Sequence, residues 1–250
     1  SDYEAHAGVY SGGANGVYWL EILTKRPDGL LVVRNITEGA KREVEPVTME
    51  IEPDLLFPLL RGRDVHRWQA QPSGHILMVQ DPEKRRGIDE EELQRCYPKT
   101  YAYLKHFELV LRSRRSRGVS DMVGKGAPFY TMFAVGDYTF APYKVVWREQ
   151  AASLTCAIVK LEDAKPVMPD HKLMMVDCAS EKEAAYLCAA LNSAPARFAV
   201  WGYAISIQHD THIVHHVAVP KFSATNPTHL RLAELGREAG GAHVEELSEI

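Results

Sequence analysis

The sequence predicts an α+β fold, in which a few helices pack against a mixed, mainly antiparallel sheet. Short apolar segments rich in β-branched and aromatic residues alternate with turn signals such as Pro27-Asp28-Gly29. Helical spacing of apolar residues is confined to a few stretches, notably after Pro98 and after Ser180. No internal repeat or low-complexity segment interrupts this pattern. Strands and helices mixed in this way are typical of an α+β domain.

The first half of the chain begins with a glycine-rich loop. Residues 8–16 hold four glycines in nine positions, which indicates backbone with positive φ or close approach of another group. Alternating and apolar runs then predict strands over residues 17–23, 30–34, 47–51 and 75–79. Asp89 is expected to cap a short helix, and Pro98 to open a longer one that runs to about Arg117 and is stopped by Gly118.

The second half is β in character before it becomes helical. Strands are predicted over residues 129–135, 144–147, 155–159, 172–176 and 213–219. Ser180 followed by Glu183 has the spacing of a capping box, so a helix should begin at Glu181 and be interrupted near residues 192–195. A last polar helix is expected within residues 225–240, followed by an acidic tail.

Composition bounds the function. A chain of 250 residues with 46% hydrophobic residues has enough material for a proper core. The formal charge of −4 gives no chain-wide basic signature, so any nucleic-acid role must rest on local patches. Four scattered cysteines without a C-x-x-C pair predict reduced thiols in a cytoplasmic protein. We expect no membrane association, and we expect the chain to be part of a longer polypeptide.

The stretch FPLLRGRDVHRW, residues 57–68, concentrates charge beside an apolar run. Arg61, Arg63 and Arg67 fall within seven positions, next to a segment apolar enough to be buried. This suits a turn anchored on one side that presents guanidinium groups to a partner on the other. The alternative is a surface turn held by a pair between Asp64 and Arg61 or Arg63.

A second cluster of arginines closes the predicted long helix. Residues 105–125 contain six lysines or arginines against two acids, and the arginines are Arg112, Arg114, Arg115 and Arg117. Cations are favourable at a helix C-terminus without any ligand. They also form a patch able to bind phosphate, and composition leaves both interpretations open.

Sequence motifs of common enzymes are missing. The chain has no G-x-S-x-G elbow, no Walker loop and no H-E-x-x-H, and its glycine loop precedes a predicted strand where a dinucleotide site needs a helix. His209, His212, His215 and His216, with Asp210, hold ligands suited to zinc or iron. Because a strand would point them to opposite faces, a hydrogen-bonded polar cluster is favoured over a metal site.

The order of these features resembles one family. HAGVYSGGANGVYWLEI (6–22), FPLLRGRDVHRW (57–68), YPKTYAYLKHFELVLRSR (97–114), PFYTM (128–132) and ISIQHDTHIVHHVAVPKF (205–222) resemble successive segments of TaqI-like C-terminal specificity domains. These are the target-recognition domains of adenine-N6 DNA methyltransferases and of type II restriction–modification enzymes that fuse both activities. The second segment is very similar to the family's P-x-L-R-G-R-D-I-x-R-aromatic pattern.

The resemblance implies a DNA target-recognition domain over residues 1–222, with residues 223–250 as a C-terminal polar helix and acidic tail. It implies no catalytic residue, metal or cofactor in this chain, since S-adenosylmethionine and the Asn/Asp-Pro-Pro-aromatic motif belong to a catalytic domain of the same parent polypeptide. Double-stranded DNA would be the partner, and the expected contacts are Arg61, Arg63, Arg67, Arg112, Arg114, Arg115, Arg117, Asn15, Gln208 and His209. The alternatives are a protein–protein docking module and a metalloenzyme built on the histidine cluster.

Overall fold

A computed structural model describes residues 2–203 and 209–248. The strands in this part of the chain are β1 His6–Ala7, β2 Trp19–Lys25, β3 Leu31–Asn35, β4 Thr48–Ile51, β5 Leu56–Leu60, β6 Val65–His66, β7 Gln69–Ala70, β8 His75–Leu77, β9 Gln80–Asp81, β10 Arg86–Gly87, β11 Tyr143–Arg148, β12 Cys156–Val159, β13 Met168–Pro169 and β14 Leu173–Cys178. The α-helices are α1 Asn15–Tyr18, α2 Glu90–Cys96, α3 Pro98–His106, α4 Glu108–Arg112, α5 Arg117–Gly124, α6 Glu181–Asn192, α7 Ala194–Tyr203, α8 Ile213–Val217 and α9 Pro227–Ser248.

The predicted α+β class is confirmed, because the strand pairs of both main sheets are antiparallel and helices pack beside them. None of the helices in the described part of the chain combines the length and the apolar character needed to cross a membrane. The chain divides into two compact units. Unit 1 consists of Ser1–Gly8, Leu60–Ser73 and Tyr138–Ile250, and unit 2 consists of Val9–Leu59 and Gly74–Asp137.

Unit 2 is built on an antiparallel sheet with the strand order β5-β8-β2-β3-β4. The Pro27-Asp28-Gly29 turn joins β2 to β3 as predicted, with Gly29 at a φ of 89° and the Leu30 N–H bonded to the Asp28 carboxylate. The sheet contributes fully buried side chains from neighbouring strands, including Leu20 and Val33. Burial of such side chains is the main stabilising term of the unit.

Helix α3 of unit 2 is capped from outside its own sequence. The Glu52 carboxylate, at the end of β4, accepts the Lys99 and Thr100 N–H groups at 2.9 and 2.8 Å and the Thr100 hydroxyl at 2.7 Å. Partial burial raises the pKa of Glu52, but these hydrogen bonds outweigh it and leave the pKa lowered. The first turn of α3 thereby gains an anion where the helix dipole favours one.

Unit 1 holds the second sheet, with the order β1-β14-β11-β12. His6 pairs with Met175 and Ala7 with Met174, and Trp147 on β11 is fully buried in the same core. Helix α6 packs on this sheet and α9 packs on α6. The predicted start of α6 is confirmed, since the Ser180 hydroxyl accepts the Glu183 N–H at 3.2 Å.

Residues 213–219 do not form the predicted strand. Ile213–Val217 is the helix α8, which ends at Ala218 in the left-handed region. The prediction was wrong because the average preference of β-branched residues for strands does not take into account the core that these residues face. Ile213 and Val217 are four apart, and Val214 and Val217 three apart, so a helix places all three against the core on one face.

The predicted strand over residues 129–135 was also wrong. The backbone carbonyls that a strand would place in a ladder have side-chain partners instead. The Tyr130 carbonyl accepts the Tyr18 hydroxyl at 2.7 Å and the Gln80 amide at 3.1 Å, and the Thr131 carbonyl accepts Arg114 at 2.8 Å. Aromatic and β-branched composition carries no information about such distant donors.

The predicted long helix from Pro98 is broken into α3, α4 and α5, with a non-helical stretch after Arg112. Gly118, expected to stop the helix, lies inside α5. A Cβ there would come within 2.9 Å of the Phe133 ring, so glycine serves close packing and not termination. The N-cap position of Asp89 is correct, although its carboxylate bonds Lys84 and Arg86 and makes no cap hydrogen bond.

Candidate functional site

Asp64 organises the RGRD turn of unit 1. Its carboxylate accepts the Arg61 N–H at 2.7 Å, while its own N–H bonds the Arg61 carbonyl at 2.9 Å. Its side chain is 7% exposed and lies 3.7 Å from Arg61 Nε and 4.0 Å from Arg63 Nε. A carboxylate held in this way fixes the single 3₁₀ turn Gly62–Asp64. These distances correspond to the alternative interpretation, in which a pair between Asp64 and Arg61 or Arg63 holds the turn.

Arg61 and Arg63 have different surroundings. The Arg61 side chain is 11% exposed, and its Nη2 donates to the Ser73 carbonyl at 2.9 Å and to the Ser73 hydroxyl at 2.6 Å. The Arg63 side chain is 68% exposed. The geometry therefore supports a structural role for Arg61 and leaves the Arg63 guanidinium presented to solvent.

The hairpin β6–β7 follows the turn and presents Arg67. Trp68 stands at the hairpin tip with a φ of 71°, and its N–H donates to the Cys156 carbonyl at 2.9 Å. The Arg67 guanidinium lies 5.4 Å from the centre of the Trp68 ring and donates to the Asn192 carbonyl at 3.0 Å. Asn192 is in turn fixed by its side-chain amide, which bonds both the N–H and the carbonyl of Cys156. Arg67 is thus exposed but held in place.

We call the exposed residues Arg63, His66, Arg67 and Gln71 the hairpin surface. A shallow groove of about 620 Å³ is lined by Arg63, His66 and Gln71 of this surface, together with Trp68 and Gln69. The Arg63 guanidinium beside this groove and the Arg67 guanidinium at the hairpin tip provide donors suited to phosphate or to guanine edges.

A buried carboxyl group lies near the same turn. Asp170 is 4% exposed, its N–H donates to the Leu60 carbonyl at 2.9 Å, and its Oδ1 accepts the Lys172 N–H at 2.7 Å. Burial raises the pKa of Asp170 to about 6, although the Lys172 N–H acts in the opposite direction. Asp170 therefore joins Leu60 to the turn before β14, within unit 1.

Arg114 lies inside unit 2. It is 4% exposed, and its guanidinium donates to the carbonyls of Leu111 at 2.7 Å, Ser11 at 3.0 Å, Thr131 at 2.8 Å and Phe129. No carboxylate in the described ranges is within ion-pair distance of it. This geometry argues against the predicted contact with DNA, because every carbonyl partner would have to be released first.

The glycine loop packs around this buried arginine. Gly12 has a φ of 71°, and a Cβ there would lie 3.1 Å from Arg114 Cδ. Asn15, predicted to contact DNA, is 9% exposed, and its side-chain oxygen accepts the Ser11 hydroxyl. The loop is therefore a structural element around Arg114, and Asn15 faces inward with it.

The other predicted arginines of unit 2 remain at the surface. Arg112 bonds Glu108 at 2.8 Å and lies over the Phe129 ring, whereas the Arg117 side chain is 95% exposed. Arg115 is exposed between them. These three neighbouring arginines therefore present positive charge to solvent. Their contact with DNA stays a prediction.

Two basic residues near these arginines, Lys41 and Arg42, were not predicted from the sequence. Arg42 donates to the Ser113 hydroxyl at 3.0 Å, and a Cβ on Gly13 would lie 3.6 Å from Lys41 Cδ and 3.9 Å from Arg42 Nε. We call Lys41, Arg42, Arg112, Arg115 and Arg117 the basic surface of unit 2. Lys41 and Arg42 lie in an irregular loop, so no periodicity in the sequence connects them with the distant arginines.

His209 is buried in unit 1, at 4% exposure, with its Nε2 3.0 Å from the Ala151 carbonyl. Gln208 lies outside the described residues. His212 and His215 lie near each other with ring centres 6.2 Å apart. Across residues 2–203 and 209–248, no three or more His, Cys, Asp or Glu side chains are grouped so that they could hold a metal ion.

Comparison with known proteins shows similarity to enzymes of DNA methylation and restriction. The chain is 27% identical over 149 residues to the type II methyltransferase M.NspV of a Nostoc species, a match that covers 60% of this chain and 30% of the relative. Among solved structures it resembles the type IIL restriction–modification enzyme MmeI in complex with DNA, with a TM-score of 0.43, 10% identity, and coverage of 95% of this chain and 32% of that one. No protein-family model matches. The chain thus spans about a third of the length of these proteins.

Proposed function

We propose that this chain is the DNA target-recognition domain of a restriction–modification adenine-N6 DNA methyltransferase. The observation that carries the proposal is the similarity to a type II methyltransferase over 149 residues. The division of roles follows from what the sequence lacks. It has no Asn/Asp-Pro-Pro-aromatic motif, so we assign S-adenosylmethionine and the methyl transfer to a catalytic domain elsewhere in the parent polypeptide.

The hairpin surface supports a role in binding duplex DNA. Its guanidinium groups are exposed, but the turn beneath them is fixed by Asp64 and by the contacts of Arg67 with Trp68 and Asn192. A preordered side chain loses less conformational freedom on binding. The basic surface of unit 2 adds further cations for phosphate contacts, which set the position of a protein on DNA.

Such a domain would help with the chemistry without taking part in it. A methyltransferase that acts on a base must extrude it from the duplex, which costs a few kcal/mol. Contacts of the target-recognition domain with phosphates and base edges would offset part of that cost at the correct site. Sequence preference would come from the contacts that reach base edges in the grooves.

Fluorescence anisotropy with a labelled random duplex at low and moderate salt tests this proposal. We expect log K to fall with log salt by about 0.9 for each phosphate contact, and the slope to become smaller by about that amount in Arg63→Ala and in Arg67→Ala. Arg34→Ala is the matched control, because Arg34 is an exposed arginine of unit 2 paired with Glu21. Equal salt slopes in all three variants would contradict the assignment of the hairpin surface.

A protein–protein docking module is the second candidate. The exposed aromatic side chains Phe198 and Trp201 favour it, at 81% and 85% exposure, since exposed apolar groups mark interaction surfaces when they cluster. Absence of duplex binding at low salt, in both this chain and its longer parent protein, would favour this candidate over DNA recognition.

A further inference from the structure

The hairpin β6–β7 of unit 1 carries two glutamines on the same side. His66 pairs with Gln69, and the Gln71 N–H continues this register with a bond of 3.3 Å to the Asp64 carbonyl. Successive side chains of a strand point to opposite faces. Gln69 and Gln71 therefore share one face of the hairpin, and Ala70 between them belongs to the other.

The opposite face of the hairpin fixes its position. Val65 is fully buried, and Ala70 packs against the same core cluster. At the tip of the hairpin, the Trp68 N–H bonds the Cys156 carbonyl at 2.9 Å. The backbone that carries the two glutamines is thus ordered before any partner arrives, which lowers the entropic cost of binding through their side chains.

The carboxamides of the two glutamines are available to a partner. Both residues line the groove of about 620 Å³, where Arg63 and His66 lie as well. Gln71 is exposed and Gln69 is half-buried. Within the described ranges, neither carboxamide has a hydrogen-bond partner. A carboxamide carries N–H donors beside a carbonyl acceptor, so it suits a ligand that presents an acceptor beside a donor.

The spacing of the glutamines matches that of stacked base pairs. Residues two apart on a strand are separated by about 6.6–6.8 Å, and successive base pairs of duplex DNA by about 3.4 Å. Gln69 and Gln71 therefore span two base-pair steps. In the major groove, adenine presents its N7 acceptor beside its N6 amino donor, and one glutamine carboxamide can bond both atoms.

We propose that Gln69 and Gln71 read adenines in the major groove of duplex DNA, at positions two base pairs apart. The assignment rests on the proposed function and deepens it, because it names the base and the residues that recognise it. Phosphate is a poorer partner for these side chains, since a neutral carboxamide brings no charge to it. The minor groove is also a poorer partner, since A·T and T·A pairs present only acceptors there.

Selection of binding sites from a duplex library with a randomised centre provides the first test. We expect the full chain to enrich two A·T pairs separated by one base pair. Gln69→Ala should lose the preference at one of them and Gln71→Ala at the other, each by about fivefold to 150-fold, the range for one bidentate contact. Gln94→Ala, at an exposed glutamine of α2 in unit 2, is the matched control and should keep both preferences.

Replacement of single adenines by 7-deazaadenine in the selected duplex tests the contact itself. This base keeps its pairing and its amino group but lacks the N7 acceptor. At the position read by Gln71, it should weaken binding of the parent chain by about fivefold or more. It should weaken Gln71→Ala no further, because both changes remove the same contact. Equal losses in the two proteins would overturn the assignment.

The outcomes separate this inference from the proposed function. Sequence-selective binding that is the same in Gln69→Ala, Gln71→Ala and the parent chain would overturn the adenine assignment and leave DNA recognition standing. Selected sequences that lack A·T pairs at this spacing would do the same. Absence of duplex binding at low salt, in both this chain and its longer parent protein, would overturn the assignment together with the proposed function.

Discussion

Replacement of Arg114 by methionine should destabilise unit 2 and not act first on DNA binding. Methionine keeps most of the aliphatic length but removes every donor of the guanidinium. The carbonyls of Leu111, Ser11, Thr131 and Phe129 would then lose this partner inside the protein. These carbonyls belong to a helix end, the glycine loop and the 128–133 segment, so one side chain joins three separate stretches of chain.

The size of the effect follows from those four bonds. Hydrogen bonds to a charged group contribute about 1.5–3 kcal/mol each, which gives a gross loss of roughly 6–12 kcal/mol. Methionine also removes the cost of burying a positive charge that has no ion-pair partner, which offsets several kcal/mol of this loss. We therefore expect the free energy of unfolding to fall by about 3–5 kcal/mol and the melting temperature by roughly 6–20 °C.

Urea denaturation of Arg114→Met beside Arg115→Met provides the measurement. Arg115 is the neighbouring arginine but is exposed, so its replacement should change stability by about 0.5 kcal/mol or less. If Arg114→Met unfolded at the same urea concentration as the parent chain and lost affinity for duplex DNA, the structural role assigned to Arg114 would be refuted.

Three further predictions concern single positions. Arg61→Ala should lower the free energy of unfolding by about 1–3 kcal/mol through loss of the bonds to Ser73, as measured by urea denaturation; unchanged stability with weaker DNA binding would restore the direct-contact interpretation. The pKa of Asp170 is raised from 3.8, its value in an unfolded chain, to about 6 in the folded protein. The protonated carboxyl therefore stabilises the fold fully below pH 3.8, and this stabilisation is lost as the pH rises through 6. Asp170→Asn keeps the acceptor for the Lys172 N–H and should reduce the pH dependence of the free energy of unfolding between pH 3.8 and 6 by up to about 2–3 kcal/mol. A pH profile equal to that of the parent chain would show that Asp170 does not cause this dependence. Gly12→Ala, at a φ of 71° beside the buried guanidinium, should cost about 1–3 kcal/mol in thermal unfolding, whereas an unchanged melting temperature would show that the loop adapts.

Local signals in the sequence predicted those elements whose cause is local. The Pro27-Asp28-Gly29 hairpin and the Ser180 cap of α6 depend on residues a few positions apart, and both are confirmed. The 213–217 segment was mistaken for a strand because helix and strand preferences of β-branched residues are overridden by the core that they face.

The charged turn was predictable from the sequence, but the surroundings of its individual arginines were not. The RGRD motif indicated a charged turn, yet nothing in its spacing distinguishes Arg61, bonded to Ser73, from the exposed Arg63. Arg114 shows the limit most clearly. It stands one position from the exposed Arg115, and its burial depends on carbonyl groups up to 103 positions away along the chain.

The two units alternate along the sequence, and this affects both the synthesis of the protein and the exchange of its parts. Unit 2 is complete in sequence once residue 137 has been synthesised, whereas the sheet of unit 1 pairs His6 and Ala7 with Met175 and Met174. During synthesis the first strand must therefore wait, unpaired, while all of unit 2 emerges from the ribosome, and such distant pairing is slow. Exchange of unit 2 between related proteins likewise requires two separate stretches of the gene, 9–59 and 74–137, with the RGRD turn and its hairpin left in place between them.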